Sequence, residues 1–224
     1  MTFHPAALIP AFDEEATIGR VVAGVRPHVD AVIVVDDGSS DGTGNTAGAA
    51  GAEVVRHPHN RGKGHAVRTG LTTLLPRGFT HVMLLDGDMQ HLPEEAPRLL
   101  SSARATGADL VVGERQFDRV RMPASRYHAN RLGSRALSSF MGVPLGDTQC
   151  GYRVFRTDVL RRMKLRATGY EIVTEMLVKL GRLGGRIEHV PVSAVYGGTS
   201  KLRPVRDTTR TCFLAMYYRF IEPV

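Results

Sequence analysis

Short apolar runs alternate with helical segments through the first half of the chain. Ala6, Leu8 and Ile9 read as a strand, followed by a helix from Thr17 to Val25. Ala31 to Val35 (AVIVV) is apolar throughout, as expected of a central parallel strand covered on both faces. A helix over Thr43 to Ala50, a strand over Glu53 to Arg56 and a helix over Gly64 to Leu75 come next. His81 to Leu85 (HVMLL) is a second buried strand, Pro93 opens a helix running to about Thr106, and Asp109 to Gly113 is one more strand. Such regular alternation predicts an α/β fold with an open, mostly parallel sheet and helices on both faces.

Beyond Gly113 the pattern changes. Residues 115 to 135 hold six arginines opposed only by Asp118, and a helix is expected through Phe140 before a Gly/Pro loop. Gly151 to Arg156 reads as a strand, Glu171 to Leu183 as an amphipathic helix, Arg186 to Val195 as a strand and Asp207 to Phe220 as a last helix. No repeat or low-complexity linker divides the chain, so 1–224 is expected to be one domain, with a C-terminal amphipathic helix over 205–221.

Composition narrows the function classes. The 224 residues can bury a real core without disulfides, and Cys150 and Cys212 lack any metal-ligand spacing, which favours reduced thiols over zinc. The N-terminus lacks the basic head and cleavage site of a signal peptide, and no stretch approaches the roughly 20 apolar residues of a membrane span. The expectation is a cytoplasmic protein, at most peripheral at the inner membrane face. The net charge of +7 admits nucleic acid, anionic membrane or phosphorylated substrate. With no Trp and few aromatics among the arginines, the stacking platforms of single-strand binders are missing, and no nucleic-acid partner is expected.

Two acidic clusters stand at the ends of apolar strands, where open α/β sheets bind ligands. The first is Asp36-Asp37-Gly38-Ser39-Ser40-Asp41-Gly42-Thr43. A turn and a helix cap account for Asp41 but give no structural reason for Asp36 or Asp37. A carboxylate at Asp37 can accept hydrogen bonds from a base edge or a ribose hydroxyl. The second cluster is Asp86-Gly87-Asp88-Met89-Gln90. In extended chain Asp86 and Asp88 face the same way, so both can meet one cation with Gln90 following, while Gly87 permits close backbone approach to a ligand. Hard oxygen donors of this kind suit Mg²⁺ or Mn²⁺ completed by substrate phosphates, and the cation would neutralise a diphosphate leaving group.

Other features carry less. Asn60-Arg61-Gly62-Lys63-Gly64 precedes a helix and could bring Lys63 or backbone N–H groups to phosphate, yet it lacks the spacing of a P-loop. A plain glycine turn explains it equally well. His57, His59, His65 and His91 share no helix face and read as surface or satisfied loop residues. The arginine cluster follows the fifth strand on the site side, with Arg115, Arg126 and Arg131 as candidates for gripping phosphate.

Taken in order, Pro10-Ala11-Phe12-Asp13-Glu14, VVDDGSSDGT (34–43), NRGKG (60–64), DGDMQ (86–90), GER (113–115), DTQCGYR (147–153) and SK (200–201) resemble the family 2 glycosyltransferases, especially the polyprenyl (dolichol) phosphate mannosyl- and glucosyltransferases. The resemblance spans nearly the whole chain to about residue 210 and implies a GT-A, Rossmann-like fold. It implies a nucleoside pocket lined by Pro10, Ala11, Phe12, Glu14, Val35 and Asp37, and a cation and diphosphate held by Asp86, Asp88 and Gln90. Arg115 matches the family's phosphate-side arginine, Lys201 the lysine of its SK motif, and Asp147 the acceptor side. Asp13 and Gly87 replace the more usual Asn and Ala, and Val195 stands where the mannose synthases place an arginine.

The expected reaction is inverting transfer of a sugar from a GDP- or UDP-linked donor, with a polyprenyl phosphate or other lipid-linked acceptor. A phosphate acceptor needs no general base, whereas a hydroxyl acceptor requires one, for which Asp147 comes first and Glu175 second. Glu175 lies among apolar helix positions, which favours a structural role. Cys212, Phe213, Met216, Tyr217 and Phe220 form a stripe that can lie on an anionic bilayer or pack on the sheet or a second subunit. A sugar-1-phosphate nucleotidyltransferase is disfavoured because its GxGxRxxP opening is absent, and a non-catalytic binding module because Asp86 and Asp88 are intact.

Overall fold

The computed structural model describes residues 2–116, 138, 150–193 and 217. One seven-stranded sheet organises them, with strands β1 (Pro5–Ala11), β2 (Ala31–Asp36), β3 (Glu53–Arg56), β4 (His81–Leu84), β5 (Leu110–Gln116), β6 (Arg153–Arg156) and β7 (Ile187–Ser193). The helices are α1 (Glu15–Val25), α2 (Thr43–Ala49), α3 (Lys63–Leu74), α4 (Ala96–Thr106), α5 (Thr157–Arg162) and α6 (Ile172–Arg182). Strand order is β3-β2-β1-β4-β6-β5-β7. β6 runs antiparallel to β4 and β5, and the other pairs are parallel.

The expected α/β sheet is therefore present, with one reversed strand inserted between β4 and β5. Pro93 opens a 3₁₀ turn, Pro93–Glu95, before α4 begins at Ala96. The short helix α5 was not anticipated, since six residues show little periodicity. Helix-spaced apolar residues explain most of the packing. Ile18, Val21, Val22 and Val25 are the buried stripe of α1, and Ile172, Met176, Leu177 and Leu180 belong to that of α6.

Alternation along β1 shows that helices cover both faces. Leu8 points at Gly70 of α3, and Pro10 shares a small cavity with Val67 of α3 and Met176 of α6. Ala11 points the other way, towards the region where Ile18 of α1 lies. A Cβ on Gly70 would lie 2.0 Å from Leu8 Cδ1. Gly70→Ala is therefore expected to cost about 1–3 kcal/mol by overpacking, and a urea titration that found no loss would refute this contact.

Chain order sets the position of the crevice. From β1 the chain steps outward to β2 and β3, then crosses back to place β4 on the other side of β1. The loops after β1 and β4 thus diverge at a topological switch point, the place where open α/β sheets bind their ligands.

Candidate functional site

Both acidic clusters lie at this edge of the sheet. Asp36 ends β2 opposite Ala11, and Asp37 N–H donates to Ala11 O at 2.8 Å. The loop after β1 is clasped to the loop after β2 by three successive backbone N–H groups. Asp13 N donates to Ser39 Oγ (3.0 Å), Glu14 N to Thr43 Oγ1 (2.8 Å) and Glu15 N to Asp41 Oδ2 (3.1 Å). In return, Asp13 Oδ1 accepts from Ser40 N at 2.8 Å. Asp13 adopts φ 51°, a left-handed conformation that a short polar side chain tolerates best.

The structure corrects the view that Asp36 and Asp37 lack a structural reason. Asp36 is wholly buried, accepts from Ser39 N at 2.9 Å and has the Arg56 guanidinium 3.5 Å away. Asp37, also buried, gathers the next loop. Its Oδ1 accepts from Arg61 N (3.0 Å) and meets His57 Nδ1 (2.6 Å), while Oδ2 accepts from Gly62 N at 2.7 Å. His57 is buried too, and its Nε2 reaches Thr69 Oγ1 at 2.9 Å, so it is no surface residue. Three of the roughly four lone-pair sites of Asp37 are thereby occupied, leaving little capacity for a ligand. His57→Phe should strand Asp37 and Thr69, costing about 1–3 kcal/mol in chemical denaturation. An unchanged midpoint would rule out this anchoring role.

The loop that Asp37 holds delivers Lys63. Gly62 takes φ 95°, and a Cβ there would lie 2.4 Å from Thr168 O. Gly64 and His65 N–H both point to Thr168 O, at 2.9 and 3.4 Å. These helix-terminal donors are spent within the protein, which favours the plain glycine turn over a phosphate-binding role for them. Lys63 itself projects into the crevice. Its Nζ lies 2.5 Å from Asp86 Oδ1 and 5.5 Å from the centroid of the Tyr170 ring.

Asp86 to Gln90 do not continue β4 in extended form; they fold into a turn in which Met89 has φ 60°. Asp88 Oδ1 accepts from Gln90 N at 3.0 Å. The two carboxylates differ electrostatically. Burial raises the Asp86 pKa, but Lys63, His91 and Arg153 outweigh it and hold the group below its ordinary value. Asp88 is pushed above its ordinary value by burial and by the Asp86 charge, partly offset by Gln90 N–H and Lys63. One aspartate is thus kept ionised by a lysine, and its neighbour is short of positive charge.

The remaining expected residues fall as follows. Pro10 and Val35 face each other across β1 and β2, Phe12 and Glu14 are half-buried in the loop beyond, and Gly87 is buried with Ala11 and Ile18 beside it. Arg115 lies near the end of β5, in register with Val192 of β7. β5 and β4 both run opposite to β6, so Arg115 is at the same sheet edge as Asp86. Asp147, Arg126, Arg131, Val195 and Lys201 lie outside the described residues, as does the helix expected over 207–220 except for Tyr217. Tyr217 is half-buried and packs against the core, so this member of the apolar stripe faces protein.

Three site residues went unrecognised in the sequence. Gly151 backs directly onto the acidic turn, since a Cβ there would lie 2.6 Å from Asp86 Oδ2 and 3.5 Å from His91 Nε2. His91, read as a surface or loop residue, is buried against Tyr152. Arg153 is also buried; its Nε donates to Cys150 O (2.8 Å) and Nη1 to Val173 O (2.9 Å). Only the glycine in DTQCGYR hinted at such close approach.

A turn with two carboxylates and a lysine thus stands at the switch point of this sheet. The family model described as glycosyl transferase family 2 matches residues 6–164. The chain belongs to glycosyl transferase family 2. It is 37% identical over 203 residues to an undecaprenyl-phosphate mannosyltransferase of Micrococcus luteus, covering 84% of this chain and 82% of that protein. It is 31% identical over 207 residues to the polyprenol monophosphomannose synthase of Mycolicibacterium smegmatis, covering 86% and 77%. Among solved structures, glucosyl-3-phosphoglycerate synthase from Mycobacterium tuberculosis, in complex with Mn²⁺ and uridine-diphosphate-glucose, superposes with a TM-score of 0.73 at 26% identity, covering 99% of this chain and 80% of that one. The open sheet with its reversed strand is accordingly a GT-A, Rossmann-like fold, and this family 2 chain is a glycosyltransferase.

Proposed function

We propose that the protein transfers a hexosyl group, with inversion, from a GDP- or UDP-linked donor to polyprenyl phosphate, using Mg²⁺ or Mn²⁺. The observation that carries this reading is the acidic turn of Asp86 and Asp88 at the switch point, with Lys63 against it. The acceptor class draws on the undecaprenyl-phosphate and polyprenol relatives, and the cation and nucleotide on the Mn²⁺ and uridine-diphosphate-glucose of the similar structure.

The donor set fits a divalent ion completed by substrate. No group of three or more His, Cys, Asp or Glu side chains gathers as a metal cage among the described residues. Asp86 and Asp88 would hold the ion with Gln90 beside them, leaving positions for diphosphate oxygens. Burial and the neighbouring Asp86 charge both disfavour the ionised form of Asp88, and a bound cation would offset them. When bound, the ion supplies Lewis-acid neutralisation of the departing nucleoside diphosphate.

The protein's own groups supply the rest. Pro10, Ala11, Phe12, Glu14 and Val35 form the nucleoside side of the crevice, while Asp37 anchors the loop that carries Lys63 and Gly87 lets the acidic turn pack against Ala11 and Ile18. Lys63 and Arg115 place positive charge where charge builds on the leaving group, a preorganised stabilisation worth most in a site shielded from water. Arg126, Arg131 and Lys201 are assigned to the phosphates of donor and acceptor. An anionic acceptor attacks the anomeric carbon without a general base, so Asp147 serves to orient it.

No helix among the described residues is long and apolar enough to cross a membrane. We place the enzyme at the inner face of the cell membrane because a lipid-linked acceptor would be met there. The test is incubation with GDP- and UDP-sugars, Mn²⁺ and a polyprenyl phosphate. Free nucleoside diphosphate and an alkali-stable, acid-labile glycolipid are the expected products. Transfer only to hydroxyl acceptors would refute the acceptor assignment, and release of pyrophosphate would refute the reaction class.

A further inference from the structure

Two segments without an acidic residue lie side by side on the α3 face of the sheet. Residues 54–85 and 159–170 contain no Asp or Glu. The second segment runs antiparallel to α3, and contacts along its length fix the alignment. Arg161 Nη2 donates to Leu75 O (2.6 Å), Arg68 Nη1 to Arg166 O (3.2 Å) and Gly64 N to Thr168 O (2.9 Å), and Tyr170 meets Lys63. The 12 residues of α3 make this seam roughly 18 Å long. It begins at the far end of α3 and ends at the crevice.

The side chains along it are basic and turned outward. Arg61, Arg161, Arg162, Lys164 and Arg166 are exposed and Arg68 is half-buried. The segment is held rigidly from beneath, because buried Glu175 accepts from Arg166 N and Ala167 N at 2.8 to 3.0 Å. At the crevice end stands Tyr170, at 46% the large hydrophobic side chain most open to solvent among the described residues. Aromatic side chains with one polar end settle at bilayer–water boundaries. Tyr217, by contrast, is turned towards the core.

We propose that this strip docks the enzyme on an anionic phospholipid bilayer, with Tyr170 at the headgroup level beside the site. The inference rests on the polyprenyl-phosphate reading, because docking along the strip brings the crevice to the height at which a lipid phosphate is presented. Charge complementarity decides the occupant. Each basic side chain near an anionic surface adds attraction that falls off within a Debye length, so docking is cumulative and salt-sensitive.

The test is co-sedimentation of the full chain with phosphatidylcholine vesicles, with and without phosphatidylglycerol. The wild type should partition onto the anionic vesicles and be released by salt. The exposed double variant Arg162→Glu/Lys164→Glu should lose about tenfold or more in partitioning. Arg20→Glu/Arg104→Glu, with the same change in net charge on α1 and α4, should retain most of it. Should reversal itself disturb folding, Arg162→Gln/Lys164→Gln should show an intermediate loss at an unchanged melting temperature.

Equal losses in both reversed variants would reduce the effect to net charge and overturn the proposal. So would wild-type indifference to phosphatidylglycerol. Thermal shift with nucleotide sugar and Mn²⁺ should be identical in wild type and Arg162→Glu/Lys164→Glu. If the wild type docks but moves no sugar to polyprenyl phosphate, the acceptor reading fails while the docking surface stands.

Discussion

Asp88→Asn should lower kcat for sugar transfer by on the order of a hundred- to a thousandfold while leaving the fold intact. Asp88 is half-buried and accepts a hydrogen bond from Gln90 N at 3.0 Å, which an amide oxygen can still accept. The substitution removes a charge that burial and the neighbouring Asp86 disfavour, so the apo protein should melt at the same temperature or slightly higher. What is lost is one of the two carboxylates that hold the cation against the diphosphate. Asp86→Asn should be equally inactive, with Lys63 released from its 2.5 Å contact. Steady-state transfer over a Mn²⁺ titration, with melting curves alongside, checks both variants. Wild-type activity in either one, at saturating cation, would sink the proposed site.

Glu175→Ala is the most damaging change expected for stability, at about 3–5 kcal/mol. Glu175 and Lys179 are both wholly buried, one helical turn apart on α6, with Nζ 3.0 Å from Oε1. Glu175 also accepts from the backbone of Arg166 and Ala167, and Lys179 Nζ donates to Lys164 O. Removing the carboxylate takes the 3.0 Å counter-charge from a buried ammonium and the Glu175 acceptor from two backbone N–H groups. Because the 166–169 segment props the loop that carries Lys63, the donor KM should rise as well. Urea denaturation measures the first effect and donor titration the second. A loss below 1 kcal/mol, as an order of magnitude, would mean that the pair is solvated. Double replacement by Leu at both positions should recover much of the stability but not the anchoring of the loop.

Much of this was legible along the chain. AVIVV and HVMLL lie within or across β2 and β4, the amphipathic run from Glu171 contains α6, and the acidic clusters stand at strand ends as their positions indicated. Glu175 is structural, as its apolar neighbours suggested. Less legible were features made by contacts between distant segments. The reversal of β6 depends on where a short RVFR strand finds a gap between β4 and β5, and four residues carry no directional signal. The same holds for His57, whose partners Asp37 and Thr69 are 20 and 12 residues away.

Asp86 and Asp88 show the division most clearly. Sequence alone determined that two carboxylates and a glycine follow a buried strand, because a run of apolar β-branched and aliphatic residues has few other places to go. It also determined, through seven ordered motifs, the family to which the chain belongs. Tertiary structure decided that the two aspartates share a turn rather than an extended strand, that Lys63 holds one of them ionised, and that Gly151 leaves room behind it. It also laid the basic segment 161–170 along α3. Local periodicity reports which face of an element is buried; the electrostatics of a site arise from groups far apart in the chain, which only the folded packing brings within a few ångströms.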